Sequence, residues 1–176
     1  ALYYPVKVLL FMRDTMLKDL QKGGEKASSL GVAQTKSGKI RLPVSLPAGG
    51  GLNLIPIDFL VKTVISIIES GTPGIFHVTN PRTSTVEELV SYIEDHYGIT
   101  GISTSGDIHQ GGTLQSLINR YMKVYYPYFC DFRNFDSSRM QEVLDNPPLC
   151  PEMSGEVFRR CMDYALETRW GEDTAI

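Results

Sequence analysis

A mixed α/β fold, with a few strands and about five helices, is predicted for this 176-residue chain by three features of its sequence. Ile40, Leu42, Val44 and Leu46 alternate with polar or proline neighbours, the period of a half-buried strand. Leu52 to Pro81 reads as a short strand, a buried helix, a Gly-Pro-Gly turn and a second strand. Four further segments repeat apolar residues at 3–4 spacing, as amphipathic helices do.

In chain order, Val6 to Leu20 is predicted as a helix with Leu9, Met12, Met16 and Leu20 on one face, ended by Gly23-Gly24. Residues 22–38, rich in Gly, Ser and Lys, read as a surface loop. Pro43 moves the following strand towards an edge position, because proline gives a ladder no N–H. Gly49-Gly50-Gly51 leads into a strand and is a loop or hairpin signal. Leu54, Ile55 and Ile57 then give a strand, and Asp58 stands where an N-cap carboxylate accepts orphan N–H groups. Loss of that cap on Asp58→Ala is expected to cost about 1 kcal/mol. Within Phe59 to Glu69 only Lys62, Thr63, Ser66 and Glu69 are polar, in one narrow stripe, so other structure must cover this helix. Ile75, Phe76 and Val78 follow as a strand, the helix joining it in parallel to the one before.

Thr83, Ser84 and Thr85 precede Glu87 and Glu88 at capping-box spacing. Val86, Leu89, Val90 and Ile93 define the next helix, which Gly98 ends in a left-handed cap. Ile99 to Thr104 is a short strand, and Ser105 to Gly112 a loop. Leu114, Leu117, Ile118, Tyr121, Met122 and Tyr125 mark a further helix, with Tyr126, Tyr128 and Phe129 carrying its aromatic character past a stop at Pro127. Asp136 caps a short helix with Met140, Val143 and Leu144 inward. Pro147, Pro148 and Pro151 form a rigid connector. Ser154 caps the last helix, whose buried face is Val157, Phe158, Cys161, Met162, Ala165 and Leu166. No boundary interrupts residues 1–176, which read as a single domain.

Composition narrows the function classes. Hydrophobic content of 42% with 21% charged residues is ordinary for a folded cytoplasmic protein. A net charge of −3 gives no electrostatic case for nucleic acid or an anionic membrane, and no apolar run approaches the ~20 residues of a membrane span. Cys130, Cys150 and Cys161 form no C-x-x-C pair, and an odd count argues against a disulfide framework. His77, His96 and His109 have no i,i+4 pairing, so no metal set is expected. The run Gly101 to Gly106 lacks the G-x-S-x-G spacing of a nucleophilic serine.

Ile55-Pro56-Ile57-Asp58, then His77-Val78-Thr79-Asn80-Pro81, Asn134 to Arg139, Pro147-Pro148 and a final Trp170-Gly171 occur in a particular order. That succession resembles the second half of the extended short-chain dehydrogenase/reductases, most closely the thioester and fatty-acyl reductase (male-sterility) branch. It covers roughly residues 38–171. The resemblance implies the C-terminal part of an NAD(P)-binding Rossmann-type reductase fold. In it Pro56, Asp58 and Asn80 are structural, and the C-terminal portion supplies the variable substrate wall. NAD or NADP would be held by an N-terminal half, the expected partner.

Two family signatures are missing. No Gly-rich loop leads from a strand into a helix to meet a dinucleotide pyrophosphate. The family's Tyr-x-x-x-Lys pair, whose lysine lowers the tyrosine pKa, is matched by Tyr3-Tyr4-Pro5-Val6-Lys7, but Pro5 would spoil an interior helical turn. The chain is therefore expected to carry no catalytic, cofactor-binding or metal residues and to be inactive alone. Its expected substrate residues are Tyr126, Tyr128 and Phe129, surplus to a helical core stripe, and His77, which can face the active site of a whole reductase or serve as a hydrogen-bonded strand residue. Self-association through its uncovered helix is also expected. A sugar-nucleotide epimerase or dehydratase C-terminal part, a non-enzymatic α/β binding module and an interaction subunit are the alternatives.

Overall fold

Strands β2 (Ile40–Pro47) and β5 (Ile99–Ser105) lie side by side in parallel, and β1 (Ala33–Gln34) adds antiparallel to β2 in a sheet of order β1-β2-β5. The computed structural model describes residues 2–106, 111–131, 133, 135–144 and 147–171. A second, two-stranded antiparallel piece pairs β3 (Gly51–Leu52) with β4 (Ser84–Thr85). Around these lie eight α-helices among the described residues: α1 (Tyr3–Leu20), α2 (Glu25–Ser29), α3 (Ile57–Glu69), α4 (Val86–His96), α5 (Thr113–Met122), α6 (Tyr126–Cys130), α7 (Ser138–Val143) and α8 (Gly155–Glu167). Five of them reach ten residues, as the periodicity predicts. The fold is mixed α/β with a small sheet, and no described helix is long and apolar enough to cross a membrane.

The core forms where the periodic faces converge on the parallel pair. Val6 and Leu9 of α1, Ile40 and Leu42 of β2, Ile99 of β5, Ile118 and Met122 of α5 and Phe158 and Met162 of α8 are each at most 2% exposed. Capping follows the local code: Thr85 accepts from the Glu88 amide while the Glu88 carboxylate accepts from the Thr85 amide, closing a capping box. Gly98, at φ +62°, ends α4, and Ser154 accepts from the Val157 amide at the start of α8. Pro43 falls beyond the two-residue reach of β1, at a register shift between Arg41 and Val44, so β2 tolerates it although it is the middle strand. Beyond the shift, the Gln115 side chain takes the place of a neighbouring strand. Its Oε1 accepts from the Ser45 amide at 2.7 Å and its Nε2 donates to the Ser45 carbonyl at 2.9 Å.

Several expectations are corrected. Residues 22–38 are not a plain loop: α2 and β1 form there, Ala27 and Val32 are buried, and Asp19 accepts from the Ala27 amide at 2.8 Å. Neither Leu54–Ile57 nor Ile75–Val78 is a strand. Each is a short apolar run with local β preference that pairs with no strand among the described residues, and Ile75 is 80% exposed. Asp58 is not the N-cap. Pro56 holds that position with extended dihedrals and α3 starts at Ile57, so Asp58 sits inside the first turn without a capping bond. Its contribution falls from a cap to a helix-dipole term, about 0.3–1 kcal/mol. Pro127 does not end the aromatic segment; α5 passes through a 3₁₀ turn (Lys123–Tyr125) into α6, where Pro127 occupies the first turn. Ser137, not Asp136, is the N-cap of α7, and Asp136 instead accepts from the Ser138 amide. Leu166 is 41% exposed rather than buried.

The largest correction concerns α3. Its apolar residues Ile57, Val61, Val64, Ile65 and Ile68 share one face and are all exposed, while Phe59 and Thr63 are its only buried residues. Asn80 ties its entry to the rest of the fold. Asn80 Nδ2 donates to the carbonyls of Leu54 and Pro151, its Oδ1 accepts from the Arg82 amide, and its backbone pairs both ways with the Asn53 side chain.

Candidate functional site

The aromatic segment divides into wall, core and surface. α6 turns Phe129, 6% exposed, inward and leaves Tyr128 58% exposed at the rim. Between them and α1, β2 and α4 lies a cavity of about 60 Å³. The buried Val6, Leu9, Leu46, Leu89, Ile93 and Phe129 line it together with the partly buried Leu2, Leu52 and Leu54. An apolar cavity of ~150 Å³ takes a benzene ring and stays dry, so one this size accepts roughly two or three methylenes. Gly50 fixes α6 against the sheet end: its amide donates to the Phe129 carbonyl at 2.8 Å, and a Cβ there would come within 2.5–2.7 Å of the backbone at Phe129 and Asp131.

Tyr126 does not line this cavity. It is 3% exposed, its hydroxyl donates to Asn119 Oδ1 at 2.6 Å, and its ring lies 6.4 Å from that of Phe129. His77 stands elsewhere, exposed in an irregular segment, with Nδ1 3.1 Å from the Asp136 carbonyl oxygen and its ring tilted on Phe135. The Ser138 amide holds the neighbouring Asp136 carboxyl below its usual range. Of the four sequence-derived candidates, the structure brings Tyr128 and Phe129 together at a cavity. Leu2, Val6, Leu9, Leu89 and Ile93 are among the lining residues that pattern reading missed, because a leucine beside a void has the same helical spacing as one in a filled core.

Pro5 does not exclude Tyr3 and Lys7 from one helix. It lies in the first turn of α1, where its missing N–H has no partner to lose, and the two residues sit one turn apart. Both face Trp170, which Arg169 and Trp170 reach through left-handed dihedrals: the Tyr3 ring meets it edge-on at 6.5 Å and Lys7 Nζ lies 5.9 Å from its centroid. The Tyr3 hydroxyl is nevertheless pushed up, first by burial and then by Cys161, the opposite of what a catalytic tyrosine needs. Burial likewise raises the Cys150 thiol, so it is no activated nucleophile. Among the described residues no group of His, Cys, Asp and Glu can hold a metal ion; His109 lies outside them.

Burial, aided at Tyr97 by Asp163 and at Tyr126 by Cys130, pushes both phenols from 10.0 to about 12. The neutral phenol is the form the fold favours, so their contribution is complete below pH 10.0 and is lost as pH rises towards about 12. Alkaline unfolding followed by circular dichroism should begin at higher pH in the Tyr97→Phe, Tyr126→Phe double variant. Identical titrations of variant and parent would contradict this.

Neither a family model, a curated protein nor a solved structure matches this chain.

Proposed function

We propose that this chain is the substrate-side part of an NAD(P)-dependent reductase of the Rossmann type, acting on an acyl thioester or related carbonyl compound. The observation that supports a missing partner half is the bare stripe Ile57, Val61, Val64, Ile65 and Ile68 on α3, followed by the apolar run at Ile75 that pairs with no strand among the described residues. A stripe at i, i+4, i+7, i+8 and i+11 is the face a helix lays on a sheet, and Ile75–Val78 has the composition of a strand for that sheet's edge. The occupant of this surface is the cofactor-binding half, which also supplies NAD or NADP and the acid–base pair. The cavity beside Phe129 favours an acyl tail over a sugar nucleotide, since a sugar demands hydrogen-bonding walls. The exposed stripe alone also suits a non-enzymatic interaction module; the cavity is what favours a reductase.

The direct test is the coding sequence upstream of Ala1, which should encode a strand, a Gly-rich loop and a helix in succession. An unrelated domain there would sink the reading. Left without its partner, the α3 face should drive self-association. Light scattering should show dimers or larger species that revert to monomer in Val61→Lys, Ile65→Lys; a strict monomer with no binding of an apolar dye would count against it.

A further inference from the structure

A separate cleft of about 610 Å³ opens where Arg41 and Ser45 of β2 meet the first turn of α5. We propose that it is a phosphate site, taking the group free or carried by a small molecule. This does not rest on the reductase reading. Helix α5 starts at Thr113 with Gly112 as N-cap, no side-chain capping bond and no acidic residue in its first turn. Its orphan N–H groups and positive dipole end therefore border the cleft without a side-chain cap among the described residues, the arrangement that receives phosphate oxygens elsewhere in proteins.

Three further observations point the same way. Arg41 is exposed, makes no ion pair among the described residues, and lies over Gly101, where a Cβ would come within 2.9 Å of its Cγ. A glycine at 101 thus leaves room for the arginine stem along the cleft. Ser45 lines the floor and is only 7% exposed, and its Oγ is buried without a hydrogen-bond partner. A buried hydroxyl is ordinarily satisfied, and rotation about χ1 is the one freedom Ser45 keeps, because both its backbone groups are fixed by Gln115. Those same bonds lock the first turn of α5 to β2, so helix end and serine move as one unit. No acidic side chain lines the cleft among the described residues.

The test is an amide NMR titration of the chain with inorganic phosphate and, separately, with a nucleoside monophosphate, at matched sodium chloride. Saturable shifts are expected at the Thr113, Leu114 and Gln115 amides. Arg41→Met should weaken binding about tenfold, through loss of a charge-assisted fork, and Ser45→Ala about threefold. Thermal melts show that each variant is folded. If Arg41→Met fails to fold, Arg41→Lys, which keeps the charge without the fork, should weaken binding by an intermediate factor. Tighter binding of the monophosphate identifies a phosphorylated small molecule and equal binding identifies free phosphate; either result supports the site. No saturable shift at these amides with either probe, or equal affinity in parent and Arg41 variant, would overturn it.

Discussion

Asn80→Ala should lower the stability of the chain by about 3 kcal/mol, a large effect for removing one polar side chain. Asn80 is 5% exposed and its amide serves three backbone groups at once: the Leu54 and Pro151 carbonyls and the Arg82 N–H. Alanine strands all three, and each buried polar group left unpaired costs about 1–3 kcal/mol, reduced where water can reach the gap. The loss is structural as well as local, because those groups belong to the segments entering α3, α4 and α8. Asn80→Asp should be similarly damaging, since it turns a carboxylate on two carbonyl oxygens. Urea unfolding measures both. A loss below about 1 kcal/mol for Asn80→Ala would mean that water replaces the amide without cost and that the junction is not held there.

Phe129→Ala should cost about 3–5 kcal/mol, whereas Tyr128→Ala, one residue away, should change stability by no more than about 0.5 kcal/mol. Phe129 is 6% exposed and already borders a void, so deleting its ring enlarges a cavity the surrounding leucines cannot close. Tyr128 is 58% exposed and holds only the rim. In the reductase proposed above the pattern should reverse: Tyr128→Ala should change the preference among acyl chain lengths with little effect on folding. Equal stability losses at the two positions would show that α6 does not present one face to the core and the other to the cavity mouth.

Much of this architecture is legible from local chemistry. The faces of α1, α4, α5 and α8, the alternation in β2, the capping box at Thr85 and Glu88 and the left-handed exit at Gly98 all depend on residues within a turn or two of each other. What escapes a pattern reading depends on distant partners. Leu54–Ile57 and Ile75–Val78 have strand composition, but a strand exists only where another edge completes its ladder. Periodicity shows which face of α3 seeks burial and not whether the chain supplies the cover. Four of the five residues of α2 are polar and the helix is short, held by a bond from the Ala27 amide to Asp19 rather than by any repeat. At the candidate site, composition singles out the aromatic cluster, yet only the three-dimensional arrangement separates Tyr126, bonded into the core, from Tyr128 at the cavity mouth.

The central claim is that the chain holds the acyl side of a reductase and none of the cofactor side. Calorimetry tests it most directly, titrating the purified chain with NADH, with NADPH and with a short-chain acyl thioester such as a butyryl thioester in parallel. The account predicts heat from the thioester, abolished by a bulky cavity-filling substitution such as Leu89→Trp that leaves the chain folded, and none from either nicotinamide cofactor. A micromolar dissociation constant for NADH or NADPH that disappeared on replacing Tyr3 and Lys7, or a thioester that gave no heat at all, would contradict it.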